Sequence, residues 1–213
     1  MLIDNGKKPN EPYNAGLGFW LPPRTTYGNF QLKFMKIVQR LDQANRRIED
    51  SFNTWKSCQT GGMLPIGALE QHVFANEELV YMLRRAADEL VSLIWCITSH
   101  EKNGSYPTKI KTDCIGAVVA QNENDRHPAF SDHVELMSVL NDVSNAFKHS
   151  FINSDHTLVG ADEPRVHALG LAYNKQSYTK EFYDVSLVSM IEKYNMFYRS
   201  CVSWLESYSA KCR

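Results

Sequence analysis

Hydrophobic residues recur along this chain at three- and four-residue steps over several long stretches, the periodicity of amphipathic helices. From Asn29 to about Lys56, one stripe is formed by Ile37, Leu41, Ala44, Ile48, Phe52 and Trp55, with Arg46, Arg47, Glu49 and Asp50 off it. The run Gln59-Thr60-Gly61-Gly62 ends that helix, and Pro65 prepares the next. A second helix is predicted from about Ile66 to His100, with a break near Ala75-Asn76. Its core stripe is Val80, Leu83, Ala87, Leu90, Ile94 and Ile97, widened by Leu93 and Trp95, and Gly104 and Pro107 close it. A short helix around Ile115–Val119 and a polar loop from Asn122 to Pro128 follow. Ser131 is the expected N-cap of the next helix.

After Phe151 the period shortens. Val166, Leu169, Leu171 and Tyr173, around Gly170, read as a strand, and Asn174-Lys175-Gln176 as the turn into a second short one. Two marginal strands need a helical surface to lie on. The last helix is predicted from about Tyr183 to Lys211, with Val188, Ile191, Tyr194, Tyr198, Cys201, Val202, Leu205 and Tyr208 on its inner side. The predicted fold is therefore mainly α: a four- to five-helix bundle with a short β-hairpin before the last helix. Residues 1–28 make an extended N-terminal arm and residues 29–213 the bundle domain. Pro9, Pro12, Pro22 and Pro23 keep a long helix out of the arm. Phe19 and Trp20 are expected to pin it to the body or to a second protomer.

Composition narrows the classes. The 213 residues carry 23 basic and 24 acidic side chains, a net charge of −1, so bulk charge gives no reason to expect nonspecific nucleic-acid or membrane binding. The five cysteines are widely spaced without a Cys-x-x-Cys, against a disulfide framework or a cysteine zinc site. No signal pattern opens the sequence and no apolar run is long enough to span a bilayer, so the expectation is a cytoplasmic protein without a membrane. No cofactor or metal is expected. His156 and His167, with Asp155 and Asp162, match no compact ligand spacing, and no P-loop, dinucleotide-binding or hydrolase glycine motif is present.

One helix face carries candidate chemistry. At about 100° per residue, Ser138, Asp142, Asn145 and His149 fall on one polar stripe, opposite Val134, Met137, Leu140, Phe147 and Phe151. A histidine there has an unperturbed pKa suited to proton transfer near neutrality. Equally, His149 and Lys148 suit the negative end of a helix dipole without any site. The pairs Arg46-Arg47 and Arg84-Arg85 would make a phosphate groove if their helices are neighbours, but flanking acids favour a salt-bridged surface. The aromatic residues of the last segment (Phe182, Tyr183, Tyr194, Phe197, Tyr198, Tyr208) fit packing better than base stacking.

The segment Ser144-Asn145-Ala146-Phe147-Lys148-His149 resembles the motif helix of the HEPN superfamily (higher eukaryote and prokaryote nucleotide-binding domains). Active members carry Arg, often followed by Asn, then three or more residues and a His. The resemblance implies a helical bundle over roughly residues 30–210, a homodimer bringing two motifs together, and an RNA, nucleotide or protein partner. A bacterial toxin–antitoxin or phage-defence setting is implied in the same way. Asn145 and His149 take the Asn and His positions, but Ser144 stands where the arginine belongs. Serine lacks the charge and the donor fork that stabilise a phosphoryl transition state. The implied function is thus a catalytically degenerate binding module using Asn145 and His149, flanked by Asp142, Ser138, Ser144 and Lys148. The alternatives are a metal-independent ribonuclease, in which His149 moves the proton and Lys148, Arg126 or Arg165 supplies the charge, and a scaffolding bundle with no site.

Overall fold

A computed structural model describes residues 1–6, 18–60, 66–152 and 159–212. Five helices and one hairpin follow in the order α1 (Phe30–Gln59), α2 (Ala68–Asn103), α3 (Ile115–Val119), α4 (Val134–His149), β1 (Arg165–Leu171), β2 (Lys180–Ser186) and α5 (Leu187–Lys211). The mainly helical class and the hairpin before the last helix agree with the sequence pattern.

Helix α1 starts where Asn29 accepts a hydrogen bond from the Leu32 amide (3.0 Å), satisfying one of the amides a helix leaves open at its start. Its stripe, Phe30, Phe34, Ile37, Val38, Leu41, Ala44 and Ile48, is buried. Against it lies α2, running antiparallel: Arg40 reaches Glu89, Arg47 reaches Glu78 and Ser51 reaches Asn76. Gly104 ends α2 at φ +70°, a left-handed position where its amide closes onto the His100 carbonyl (2.8 Å).

Helix α2 is continuous through Ala75-Asn76, where a break was predicted. Asn76 is 4% exposed and spends its amide on side chains and on other elements rather than on its own helix's backbone. Its Oδ1 accepts from Ser51 Oγ on α1 (2.9 Å), and its Nδ2 donates to His72 Nε2 (3.0 Å) and the Arg165 carbonyl of β1 (3.4 Å). A residue that favours turns in isolation here joins three elements.

Helix α5 packs against α2, with Tyr194 fully buried and its hydroxyl donating to the Leu83 carbonyl (3.1 Å). It begins at Leu187, four residues later than predicted, because Tyr183–Ser186 belong to β2. Strand pairing there satisfies backbone groups that a helix start would leave open, and Ser186 then caps α5 through the Ser189 amide (3.1 Å). In β1 the buried residues are Val166, Ala168 and Gly170, so the inward face is the small one and Leu169 and Leu171 point the other way. Tyr173 falls outside the strand, in the turn that follows it. Ser131 likewise sits within a 3-10 turn that leads into α4, and not at its cap. Phe151, predicted on the apolar face, lies beyond the helix and is 93% exposed.

The described part of the arm is held by its own chain. Phe19 is buried with its ring edge-on to Phe34 (5.2 Å), and Leu21 is fully buried. Trp20 contributes its backbone instead, donating to Ser209 Oγ (2.8 Å) while its side chain stays largely exposed. A second anchor was not anticipated. Ile3 is 3% exposed, and Asn45 clasps its backbone, accepting from the amide (2.7 Å) and donating to the carbonyl (2.9 Å). Asn195 of α5 holds Asp4 and Leu2 similarly. Asn45→Ala is expected to cost about 1–2 kcal/mol, read as a lower urea midpoint at unchanged slope, because both backbone groups lose their partner together.

Candidate functional site

Helix α4 is a natural shelf for a site. Leu136, Met137, Leu140, Val143, Ser144 and Ala146 are buried against its neighbours, while Asp142 and Asn145 are half-buried and His149 is exposed. The predicted stripe therefore does lie on one side, and it opens on a cleft of about 680 Å³ between α4 and the hairpin. That size suits a small-molecule or nucleotide ligand. Ser138 is set back from the opening and donates to Asp142 Oδ2 (3.3 Å), with Asn141 donating to Oδ1 (3.3 Å).

The hairpin supplies the facing wall. Leu171 donates its amide to Ser150 Oγ (2.9 Å). Asn174 donates from Nδ2 to the His149 carbonyl (2.6 Å) and accepts at Oδ1 from the Phe151 amide (2.7 Å). The last carbonyls of a helix have no partner within it, so Asn174 caps α4 from outside and fixes the hairpin tip beside His149. Tyr183 packs against Gly170: a β-carbon there would stand 2.9 Å from the Tyr183 ring, so a larger residue would push the tyrosine aside. Its hydroxyl donates to Glu181, and burial together with that bond holds the phenol well above its ordinary pKa.

A cation reaches this helix from α2. Arg84 Nη1 donates to Asn145 Oδ1 (2.7 Å) and to Ser144 Oγ (3.1 Å). Its side chain is 22% exposed, with the Asp88 carboxylate 3.9 Å from Nε. Asp88 in turn accepts the Ile115 amide at the start of α3 (2.8 Å), and burial raises its pKa. One turn before Arg84, Tyr81 sets its ring edge-on to Phe147 (6.4 Å), and burial with a Glu77 hydrogen bond pushes its phenol up to about 12. Thus Ser144 and Asn145 are met by a guanidinium from the neighbouring helix, and the buried Ser144 hydroxyl is one of its acceptors.

The other candidate cations are placed elsewhere. Lys148 is exposed and outside the residues lining the cleft. Arg126 donates to the Gln121 carbonyl (2.9 Å), and Arg165 is engaged by Glu163 and Asp184. Arg85 fits the salt-bridged surface expected of it, pairing with Glu89 (3.2 Å), as does Arg47 with Asp50 (2.8 Å) and Glu78 (2.7 Å). Within the described residues, no group of three or more metal-ligating side chains converges. His167 stacks on Phe182 (5.7 Å) and meets Asp184 (3.1 Å), while His156 and Asp155 lie outside the described residues. No described helix is long and apolar enough to cross a membrane.

The role of Arg84 had a sequence signal. It lies four residues after Val80 and three before Ala87, both on the core stripe, so its Cα belongs to the edge of the buried face and not to the surface. The contributions of Asn174, Glu181 and Tyr183 had no such signal, because they depend on where the hairpin folds back. Of the aromatic residues near the C-terminus, Tyr194, Phe197, Tyr198 and Tyr208 are buried in packing, as expected. The chain matches no protein-family model, no curated protein and no solved structure.

Proposed function

We propose that this protein is a HEPN-like helical module that binds single-stranded RNA or a nucleotide in the cleft between α4 and the hairpin. The observation that supports this best is the Arg84 guanidinium held against Asn145 and Ser144. It restores positive charge beside the Asn-x-x-x-His sequence, where phosphate recognition would need it. In this reading Arg84 and Asn145 present donors to a phosphate, and His149 contacts the same strand one turn further along. The set is catalytically degenerate. Arg84 already spends Nη1 on two protein acceptors and has Asp88 behind it, so its charge is partly neutralised before any substrate arrives. Pairing of two copies across their clefts belongs to the same proposal.

The exposure of His149, one turn beyond the Asn145 that Arg84 bonds, favours a second reading, an active metal-independent ribonuclease with His149 as the proton-transfer group. One experiment separates the two. Fluorescein-labelled RNA of mixed sequence is titrated with wild type and with His149→Ala, chelator present, and the RNA is then run on a denaturing gel. Binding without cleavage supports the module. Cleavage by wild type that is lost in His149→Ala establishes the nuclease instead, and the absence of both binding and cleavage refutes both readings.

A further inference from the structure

The cleft's charge says which end of a nucleotide enters it. Its described lining includes the carboxylates of Asp142 and Glu181 and no lysine or arginine. A phosphate placed inside would meet two like charges, whereas a base edge rich in N–H donors would meet acceptors. The nearby cations lie outside that lining: Arg84 bonds Asn145 from α2, Lys148 is exposed on α4 and Lys175 is exposed at the hairpin tip.

The tip itself is built at a conformational cost. Tyr173 and Asn174 both have left-handed backbones, at φ 54° and 53°, and Tyr173 is 83% exposed. A bulky aromatic residue is rarely found there, and such strain persists only where other contacts impose it. The Asn174 clamp onto the His149 carbonyl and the Phe151 amide is that contact. The Tyr173 ring lines the cleft while standing largely in solvent. Tyr178 lies beside it (5.9 Å), and Lys175 Nζ stands 5.8 Å and 6.0 Å from the two rings.

The geometry points to a base-reading site in which Tyr173 stacks a guanine of single-stranded RNA, Asp142 accepts from its edge, and Lys175 meets the flanking phosphate. This rests on the RNA-binding reading above and gives it a sequence preference. Guanine is the base that fits, because its N1–H and exocyclic amine are adjacent donors on one edge, matching a carboxylate. Asp142 has the capacity: an ionised carboxylate offers about four acceptor positions, and Ser138 and Asn141 use two. Uracil presents a single N–H flanked by two carbonyls, which the carboxylates repel. Stacking on the tyrosine face works for any base and supplies affinity, not choice.

The test uses the full chain and three labelled heptamers: seven uridines, and the same sequence with guanosine or adenosine at the centre. Anisotropy titrations of the wild type are expected to rank guanosine first, about fivefold or more tighter than all-uridine, in keeping with one base's contribution to discrimination. Tyr173→Ala is expected to weaken every heptamer roughly tenfold, while Tyr173→Phe, which keeps the ring, stays within about twofold of wild type. Asp142→Asn is expected to abolish the guanosine preference, bringing the guanosine and all-uridine heptamers to equal affinity. Equal wild-type affinities for guanosine and uridine, or an unaffected Tyr173→Ala, would overturn the base-reading site while leaving RNA binding intact. If no heptamer binds at all, the RNA-binding reading fails and this one with it.

Discussion

Replacing Arg84 by alanine is expected to weaken RNA binding about tenfold or more and to destabilise the fold by about 1–3 kcal/mol. The two effects have separate origins. Stability falls because Arg84 makes two charge-assisted hydrogen bonds between α2 and α4, and one acceptor, Ser144, is only 1% exposed. The loss is moderated because the serine hydroxyl can rotate onto a carbonyl of its own helix. It is moderated further by Asp88, which gives up a 3.9 Å neighbour yet keeps the Ile115 amide. In the proposed reading, affinity falls because the cation that would face the phosphate is gone. A single lost contact should also reduce the salt dependence, lowering the slope of log affinity against log salt by about 0.7 for a single strand. Arg84→Lys separates charge from shape: it keeps the salt slope but loses part of the affinity and the fork that engages Ser144 and Asn145 together. Chemical denaturation and anisotropy at several salt concentrations read both effects.

Acid is expected to unfold this protein earlier than its carboxylates alone would require. His72 is 2% exposed, and burial, with the nearby His167 adding to it, lowers its pKa from 6.5 to about 4. The geometry gives the reason. His72 Nε2 accepts from the Asn76 amide, so protonating it would set one donor against another inside a closed network. Its Nδ1 is buried without a hydrogen-bond partner among the described residues. A histidine whose folded pKa is depressed binds its proton more readily when unfolded. Stability is therefore complete above the unfolded value of 6.5 and is lost as pH falls toward 4. For a group this buried the loss is about 2 kcal/mol by pH 5 and about 3 kcal/mol by pH 4.

His127 behaves alike, with burial lowering its pKa to about 4 and Lys102 adding to it. Its Nδ1 accepts the Ala129 amide (3.1 Å) and its ring packs edge-on to Trp204 (4.9 Å), so charging it removes that acceptor. Urea midpoints measured from pH 7 to pH 5 should fall steeply in wild type and less so in His72→Gln, which keeps an acceptor for Asn76 but does not titrate. Parallel curves for the two proteins would show that His72 is not the acid-sensitive group.

The helices were legible because burial imposes one period along each of them. The α1 stripe from Ile37 to Ile48 and the α2 stripe from Val80 to Ile97 are fixed by local arithmetic, and both are buried. Errors fell where a residue answers to a distant partner. Asn76 looks like a helix breaker until Ser51 and the Arg165 carbonyl are brought to it. Tyr183 fits the helical period of α5, yet its backbone pairs with Ala168 across the hairpin. The site divides in the same way. Asp142, Asn145 and His149 share a side because helical spacing requires it, and that side does border the cleft. Which cation meets them is a matter of packing between α2 and α4, and which wall faces them depends on Asn174 joining the hairpin tip to the end of α4.

In the proposed reading, RNA is held along α4 beside Arg84. The most direct test of that reading is a titration of isotope-labelled protein with the guanosine-centred heptamer, followed by amide and imidazole resonances. The largest shifts are expected at the Asn145 side-chain amide, the His149 ring and the amides of Tyr173 and Asn174, with the far side of α1 unmoved. Saturable binding whose shifts map to another face, or no shifts at any RNA concentration, would contradict that reading.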